Sequence, residues 1–338
     1  MKSPVISIIL PVYNAAQTIE TAVKSCLNQS FSDFELILID DGSTDETTKV
    51  LNGLIEKDER IRIFFNKHEG IVPSLNFGIV ESNGKYIARM DADDVMYPER
   101  IAQQVESLEK NSGIGLVSCL VEHGGDAKSQ EGYATHVHWI NSILTSEEIA
   151  LNRFVESPIA HPSVMFRKEL VERHGNYRAG DFPEDYELWL RWMDAGVEMG
   201  KVPRQLLFWN DLSGRLSRMD ERYSNEAFNR IKTNYLIKFL EDKIKGRKIW
   251  LCGAGRGTRK KSDLLFESDF SFGGYLDVDP KKTGKVFNGL SVSEAEDMPG
   301  KDSAYIVSYV GTRGAKNEIR RMLKRRDFEE GKDFVMAG

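Results

Sequence analysis

The 338-residue chain has little cysteine: Cys26, Cys119 and Cys252, an odd number at wide spacing. That excludes a disulfide framework and provides no zinc-ligand spacing. All three sit among apolar neighbours, which reads as buried reduced thiols and a cytoplasmic setting. No apolar run approaches the roughly 20 residues of a membrane helix. Val5–Val12 is apolar, but it is too short for a signal core and Pro11 interrupts it. An excess of positive charge is also lacking: 46 Lys+Arg stand against 52 Asp+Glu, a net charge of −6. A nucleic-acid partner, which calls for a broad basic face, is therefore not expected. Low-complexity tracts and short repeats are absent. With 41% hydrophobic and 29% charged residues, the chain can bury an ordinary core, and its length suits about two domains.

The first third alternates apolar runs with helical periods. Val5–Val12 reads as a strand buried on both faces, and Phe34–Ile39, Ile61–Phe65, Tyr86–Met90 and Gly115–Val121 read as further strands. Between them, Ile19 to Leu27, Asp45–Glu56, Ile71–Ser82 and Pro98–Glu109 carry helical spacing, with Pro98 suited to a first turn. Such alternation predicts an α/β layer with a mostly parallel sheet, helices on both faces and right-handed crossovers. From Glu122 to Ile140 the pattern weakens into an irregular excursion. There His136-Val137-His138 alternates as a strand would, with no third ligand for zinc. Further on, Ser163–Phe166 reads as a strand, and Lys168–Arg173 and Asp185–Asp194 as helices.

Glu221–Lys245 is long, charged and helical in period, and Gly246 ends it. The expected organisation is a first domain over residues 1–220, a helical linker over 221–246 and a smaller Rossmann-like α/β domain over 247–338. In that last part Lys248–Cys252 is a strand that runs into Gly253-Ala254-Gly255-Arg256-Gly257-Thr258, and Asp277 closes the strand Tyr275–Val278. The pattern evokes a dinucleotide fingerprint, but Thr258 stands where a glycine belongs and Gly257 is one place early, so a packing or docking module is expected. Ala304–Tyr309 is a further strand and Gly314–Arg326 a closing helix. The basic run Lys316–Arg326 reads as a solvated face, or as a peripheral contact with a charged glycan or with anionic lipid at the inner membrane face.

In an open parallel sheet, ligands bind beyond the carboxyl ends of the strands. Four polar clusters fall there: Pro11-Val12-Tyr13-Asn14, Asp40-Asp41-Gly42-Ser43, Asn66 to Gly70, and Asp91-Ala92-Asp93-Asp94. Together they define one carboxylate-rich crevice. Hard divalent cations take such oxygen ligands, and Asp91 and Asp93, one residue apart, can turn toward one ion.

These clusters, joined by Glu184-Asp185-Tyr186-Glu187-Leu188-Trp189, occur in a definite order. Over residues 1–215 the sequence resembles a family 2 glycosyltransferase of the GT-A fold. The resemblance rests on Ile8 to Asn14, Leu38 to Asp45, Met90 to Asp94 and Glu184 to Trp189. It implies that Pro11 and Tyr13 line a nucleobase pocket with Val12 and Asn14 beside them, and that Asp41 accepts hydrogen bonds from the base, usually uracil. Asn66, Ser74, Asp91 and Ala92 fall in the same donor-binding set. Asp91 and Asp93 become the DxD pair for Mn2+ or Mg2+, with Asp93 the principal ligand. Asp185 becomes the catalytic base, and His161 and Glu184 lie on the acceptor side. One departure stands out: Leu75 occupies the place where many relatives carry Arg.

The implied activity is inverting, metal-dependent transfer from a nucleotide-diphosphate sugar, a UDP-sugar foremost, to a glycan or lipid-linked acceptor in surface polysaccharide synthesis. A single displacement needs a stabilised diphosphate leaving group and one carboxylate base, and the acidic pair and Asp185 supply these types. A nucleotidyltransferase would carry a glycine-rich, basic phosphate loop after the first strand, which residues 11–17 lack. A non-catalytic nucleotide-sugar-binding regulator would not need Asp185.

Overall fold

The computed structural model describes residues 3–55, 57–125, 131–212, 215–312 and 314–338. Two compact units form. One runs up to Ile149 and resumes at Pro158–Arg222; the other comprises Ala150–Ser157 and Tyr223–Gly338.

The first unit is built on an eight-stranded sheet: β1 (Ile6–Val12), β2 (Phe34–Asp40), β3 (Ile61–Phe65), β4 (Tyr86–Arg89), β5 (Val95–Met96), β6 (Ile114–Gly124), β7 (Met165–Arg167) and β8 (Glu198–Asn210). Their spatial order is β3-β2-β1-β4-β7-β6-β8-β5. The pairs β1–β2, β2–β3, β1–β4 and β6–β8 are parallel. β7 enters between β4 and β6 and runs antiparallel to both, and β5 is antiparallel to β8. The expected mostly parallel sheet is therefore mixed on this side.

Period-two alternation places Ile8, Leu10, Leu36 and Leu38 in one apolar cluster and Ile9, Ile37 and Ile39 in the other. Both faces are covered, which explains why the strands read as continuous apolar runs. The helix Ile71–Glu81 covers the second face through Val72, Leu75 and Ile79.

Two expectations are corrected. β6 continues to Gly124, and Glu131–Asn141 is a helix that buries Val137 and Ile140; it includes His136 and His138, which therefore do not alternate as in a strand. Residues 126–130, in the middle of the expected irregular excursion, lie outside the described residues, as does Glu56, the last residue of the expected helix Asp45–Glu56; the helix observed there is Thr47–Ile55. The 13-residue β8 did not read as a strand because Gly200 and Pro203 interrupt it. The register with β6 skips from Val202 to Gln205, so Pro203, which has no N–H, stands at an irregularity.

In the second unit, β9 (Lys248–Cys252), β10 (Phe272–Asp277), β12 (Leu290–Glu294), β13 (Ala304–Ser308) and β14 (Phe334–Met336) are parallel, and β11 (Val286–Phe287) pairs antiparallel at the edge. The order β11-β12-β10-β9-β13-β14 is of Rossmann type. The Asp277 carboxylate accepts from Ala254 N at 2.7 Å and from Lys282 Nζ at 3.1 Å, so it holds the glycine loop in place. The helix Asn225–Ile244, expected as a linker, buries Leu236 and Leu240 and belongs to this unit.

Candidate active site

The loops after β1 and β2 are tied together by short polar groups. Asn14, with φ 49°, donates its N–H to Ser43 Oγ at 3.0 Å, and Thr44 N–H donates to Asn14 Oδ1 at 2.8 Å. Asp41 is buried, and its two carboxylate oxygens accept from Glu69 N–H and Gly70 N–H, each at 2.9 Å. This pins the loop after β3 beside Asp41. Asn66 joins through its N–H to the Asp40 carbonyl at 2.8 Å. Gly42 is required here: its φ is +71°, and a Cβ would stand 2.7 Å from His68 N. The Tyr13 ring, 45% exposed, stacks on His68.

The expected donor-side residues therefore divide. Tyr13, Asn14, Asp41 and Asn66 lie in the adjoining loops after β1, β2 and β3. Pro11 and Val12 are buried in β1, with Val12 in the core. Ser74 is 2% exposed and its hydroxyl donates to the Gly70 carbonyl at 3.0 Å, so it serves its own helix.

At the end of β4 the carboxylates of Asp91, Asp93 and Asp94 offer oxygens within 4.8 Å of one another. Burial, then the Asp91 charge, pushes Asp93 up to about 6. Burial, then Asp91 and Asp93, holds Asp94 well above the usual carboxylate range. A divalent cation relieves such crowding, and three hard oxygen donors fit Mg2+ or Mn2+. Ala92 between them packs partly against the core. The loop is braced by Asn210, whose N–H donates to Asp94 Oδ1 at 2.9 Å and whose side-chain amide donates to the Asp93 carbonyl at 3.1 Å. Arg215 lies 5.0 Å from the Tyr133 ring centre and 4.8 Å from that of Trp209, and hydrogen-bonds the Tyr133 hydroxyl. Its positive charge acts on all three aspartates.

Asp185 is the second residue of the helix Glu184–Asp194, which follows Pro183. It is partly exposed, and Oδ1 accepts from Tyr186 N–H at 2.7 Å. Burial, then the adjacent Glu184 charge, pushes it up to about 7, a value fit for a general base near neutral pH. Glu184 is 3% exposed and reaches to 3.9 Å from His161 Nδ1. Burial, then the nearby Arg89, holds the His161 imidazole well below its ordinary value, so it is neutral. Its Nε2 lies 2.8 Å from the Tyr177 hydroxyl. Tyr177 is fixed by Asn76, whose amide donates to the Tyr177 carbonyl at 2.9 Å and accepts its N–H at 3.2 Å. His161 and Glu184, expected on the acceptor side, are thus buried beside the helix that carries Asp185.

Sequence reasoning missed four groups: Arg89, Tyr177, His68 and Arg215. Arg89 had a signal, since an arginine that ends an otherwise apolar buried strand needs a partner. It is 4% exposed and forms an ion pair with Asp91. Burial alone would lower its basicity, but Asp91 foremost, together with Tyr177 and Asp94, outweighs burial and holds Arg89 above its ordinary value. The same charge acts on Tyr177, His161 and Asp185. The acidic cluster and the Asp185 helix are therefore neighbours around one buried guanidinium. No helix among the described residues is long and apolar enough to cross a membrane.

The family described as Glycosyl transferase family 2 matches residues 7–175. An uncharacterised glycosyltransferase of Haemophilus influenzae is 32% identical over 245 residues, spanning 70% of this chain and 75% of that protein. The O-antigen biosynthesis glycosyltransferase WbnJ of Escherichia coli is 32% identical over 189 residues, spanning 55% of this chain and 70% of its own. Among solved structures, S. aureus TarS 1-349 in complex with UDP-GlcNAc has a TM-score of 0.55 at 14% identity, covering 70% of this chain and 66% of that one. The mannosyltransferase PcManGT of Pyrobaculum calidifontis, in complex with GDP-Man and Mn2+, has a TM-score of 0.50 at 18% identity, covering 73% and 66%. The structures establish the fold and the sequence matches establish the family. The chain belongs to glycosyl transferase family 2, is built on the GT-A fold and is a glycosyltransferase.

Proposed function

We propose that the enzyme transfers a sugar, with inversion, from a nucleotide-diphosphate donor, a UDP-sugar foremost, to a hydroxyl of a glycan or lipid-linked acceptor in surface polysaccharide assembly. The observation that carries this reading is the grouping of the Asp91–Asp93–Asp94 cluster and the partly exposed Asp185 around Arg89. The names of the relatives add support: one acts in O-antigen biosynthesis, and the solved neighbours hold UDP-GlcNAc and GDP-Man.

Each residue is given a role by its chemistry. Tyr13 and Asp41 hold the nucleobase at the ends of β1 and β2. Asp91 and Asp93, with Asp94 beside them, would hold Mn2+ or Mg2+, whose charge would stabilise the diphosphate as it leaves. Asp185 takes the proton of the attacking acceptor hydroxyl. Glu184 keeps Asp185 basic enough to do so near neutral pH. Arg89 positions Asp91 and, through its field, opposes the burial that would neutralise Asp185.

The test is a panel of UDP- and GDP-sugars screened by thermal shift with and without Mn2+. A ligand that binds only the native state raises the melting temperature. The reading expects a rise with at least one UDP-sugar that depends on Mn2+, and release of UDP once the acceptor is added. A panel with no metal-dependent shift overturns it.

A further inference from the structure

One face of the Tyr13 ring is covered. The His68 imidazole lies on it with ring centres 4.1 Å apart and planes 19° apart. The same imidazole places Nδ1 2.8 Å from Asp41 Oδ2 and 3.0 Å from the Asp41 carbonyl oxygen. Both neighbours are acceptors, which assigns the proton to Nδ1. A planar ring on Tyr13 with a ring N–H on Asp41 is the arrangement that a nucleobase would adopt under the donor reading above.

The backbone beneath His68 is fixed, through Glu69 N–H and Gly70 N–H on the Asp41 carboxylate and through the close approach of Gly42. The side chain is not, since it is 54% exposed. It can leave by rotating while its loop stays in place.

We propose that His68 is a built-in competitor for the base position on Tyr13 and Asp41, and that the Asp41 acceptor it covers favours a base that brings its own ring N–H. The proposal rests on the donor reading. The Asp41 carboxylate already accepts two backbone N–H groups, and the imidazole takes a further lone pair. A base cannot share both the ring face and that lone pair with His68, so the two compete. Uracil presents N3–H and guanine presents N1–H. Cytosine and adenine present a ring nitrogen lone pair at the equivalent place, which faces the Asp41 lone pairs with no proton between them. Their displacement of His68 loses a hydrogen bond that the ring nitrogen cannot replace.

The experiment is calorimetric titration of the full-length protein with UDP, GDP, CDP and ADP at fixed Mn2+. UDP or GDP binds, and CDP and ADP bind at least tenfold more weakly than the tighter of the two. Occupancy by His68 discounts affinity by the fraction of time the position is taken. His68→Ala therefore tightens the binding nucleotide about four- to tenfold, as expected for a position taken three-quarters to nine-tenths of the time. His68→Phe keeps the ring but not the N–H, and tightens binding less than His68→Ala. Weaker or unchanged binding in His68→Ala makes the imidazole a wall or a bystander and overturns the proposal, as does CDP or ADP bound as tightly as UDP and GDP. Tyr13→Ala separates the two readings. If it weakens binding while His68→Ala fails to strengthen it, the His68 proposal alone falls; if it changes nothing, the base position falls with it.

Discussion

Arg89 and Asp91 form an ion pair at the carboxyl end of β4, with the guanidinium buried and the carboxylate facing the acidic cluster. Arg89→Met leaves the Asp91 charge uncompensated, and because that carboxylate is 26% exposed the cost is below the ~3–5 kcal/mol of a fully buried pair. Arg89→Met should lower the melting temperature and weaken Mn2+-dependent UDP binding together, because Asp91 loses both its partner and its orientation. Arg89→Lys keeps a charge without the fork and should fall between. Wild-type stability and UDP affinity in Arg89→Met would show that the pair does nothing for the site.

Asp93→Ala tests the donor side. Loss of a ligand should cost no less than the roughly 10–100-fold that losing an outer partner costs a metal site. Calorimetry should find weak UDP binding that no longer responds to Mn2+. Since burial and Asp91 hold the Asp93 carboxylate up near 6, its removal should not lower the melting temperature in metal-free buffer. An affinity that still rises with Mn2+ would remove Asp93 from the site.

The legible part of this protein was the part in which sequence neighbours do the work. The strands β1 to β4 each bring an apolar run directly to a polar cluster, so Tyr13, Asp41 and Asp91 could be placed at one sheet edge before any geometry was known. What was not legible depends on contacts across the chain. His161 meets Tyr177, and Tyr177 is held by Asn76, 101 positions away. No local pattern encodes such a bond. The helix Glu131–Asn141 buries only Val137 and Ile140, too few for a helical period to show. β8 was hidden by Pro203, which the β6 register bypasses.

The boundary between the units gives a further prediction. Residues 150–157 belong with the second unit: the Phe154 ring centre lies 5.5 Å from that of Phe239, and Asn152 Oδ1 accepts from Arg320 at 3.0 Å. A chain ended at Arg222 strips Phe154 of these surroundings and exposes a side chain worth about 1.5–3 kcal/mol of burial. It should be less soluble and melt lower than the full chain, and Phe154→Ser should recover part of its solubility. A monomeric truncation with the melting temperature of the full chain would show that the segment needs nothing beyond 222.

Asp185 gives the sharpest test because its two roles have opposite signs. Burial and Glu184 raise its carboxyl from 3.8 to about 7. Between those values the folded protein binds more protons than the unfolded chain, so stability from this group falls as pH rises from about 4 to about 7 and stays low above. Asp185→Asn removes the charge and should raise the melting temperature at pH 8, with the gain shrinking as pH falls toward 4. As general base, however, the carboxylate is indispensable. The same variant should bind UDP as the wild type does while single-turnover transfer drops by roughly 10²–10⁴-fold. In the wild type the transfer rate should fall tenfold per pH unit below an apparent value near 7, which belongs to the Glu184–Asp185 pair rather than to either residue. A structural Asp185 would give the reverse, a lower melting temperature with transfer intact in the folded fraction. Near-normal transfer in Asp185→Asn would end its assignment as the base, whatever the melting temperature does.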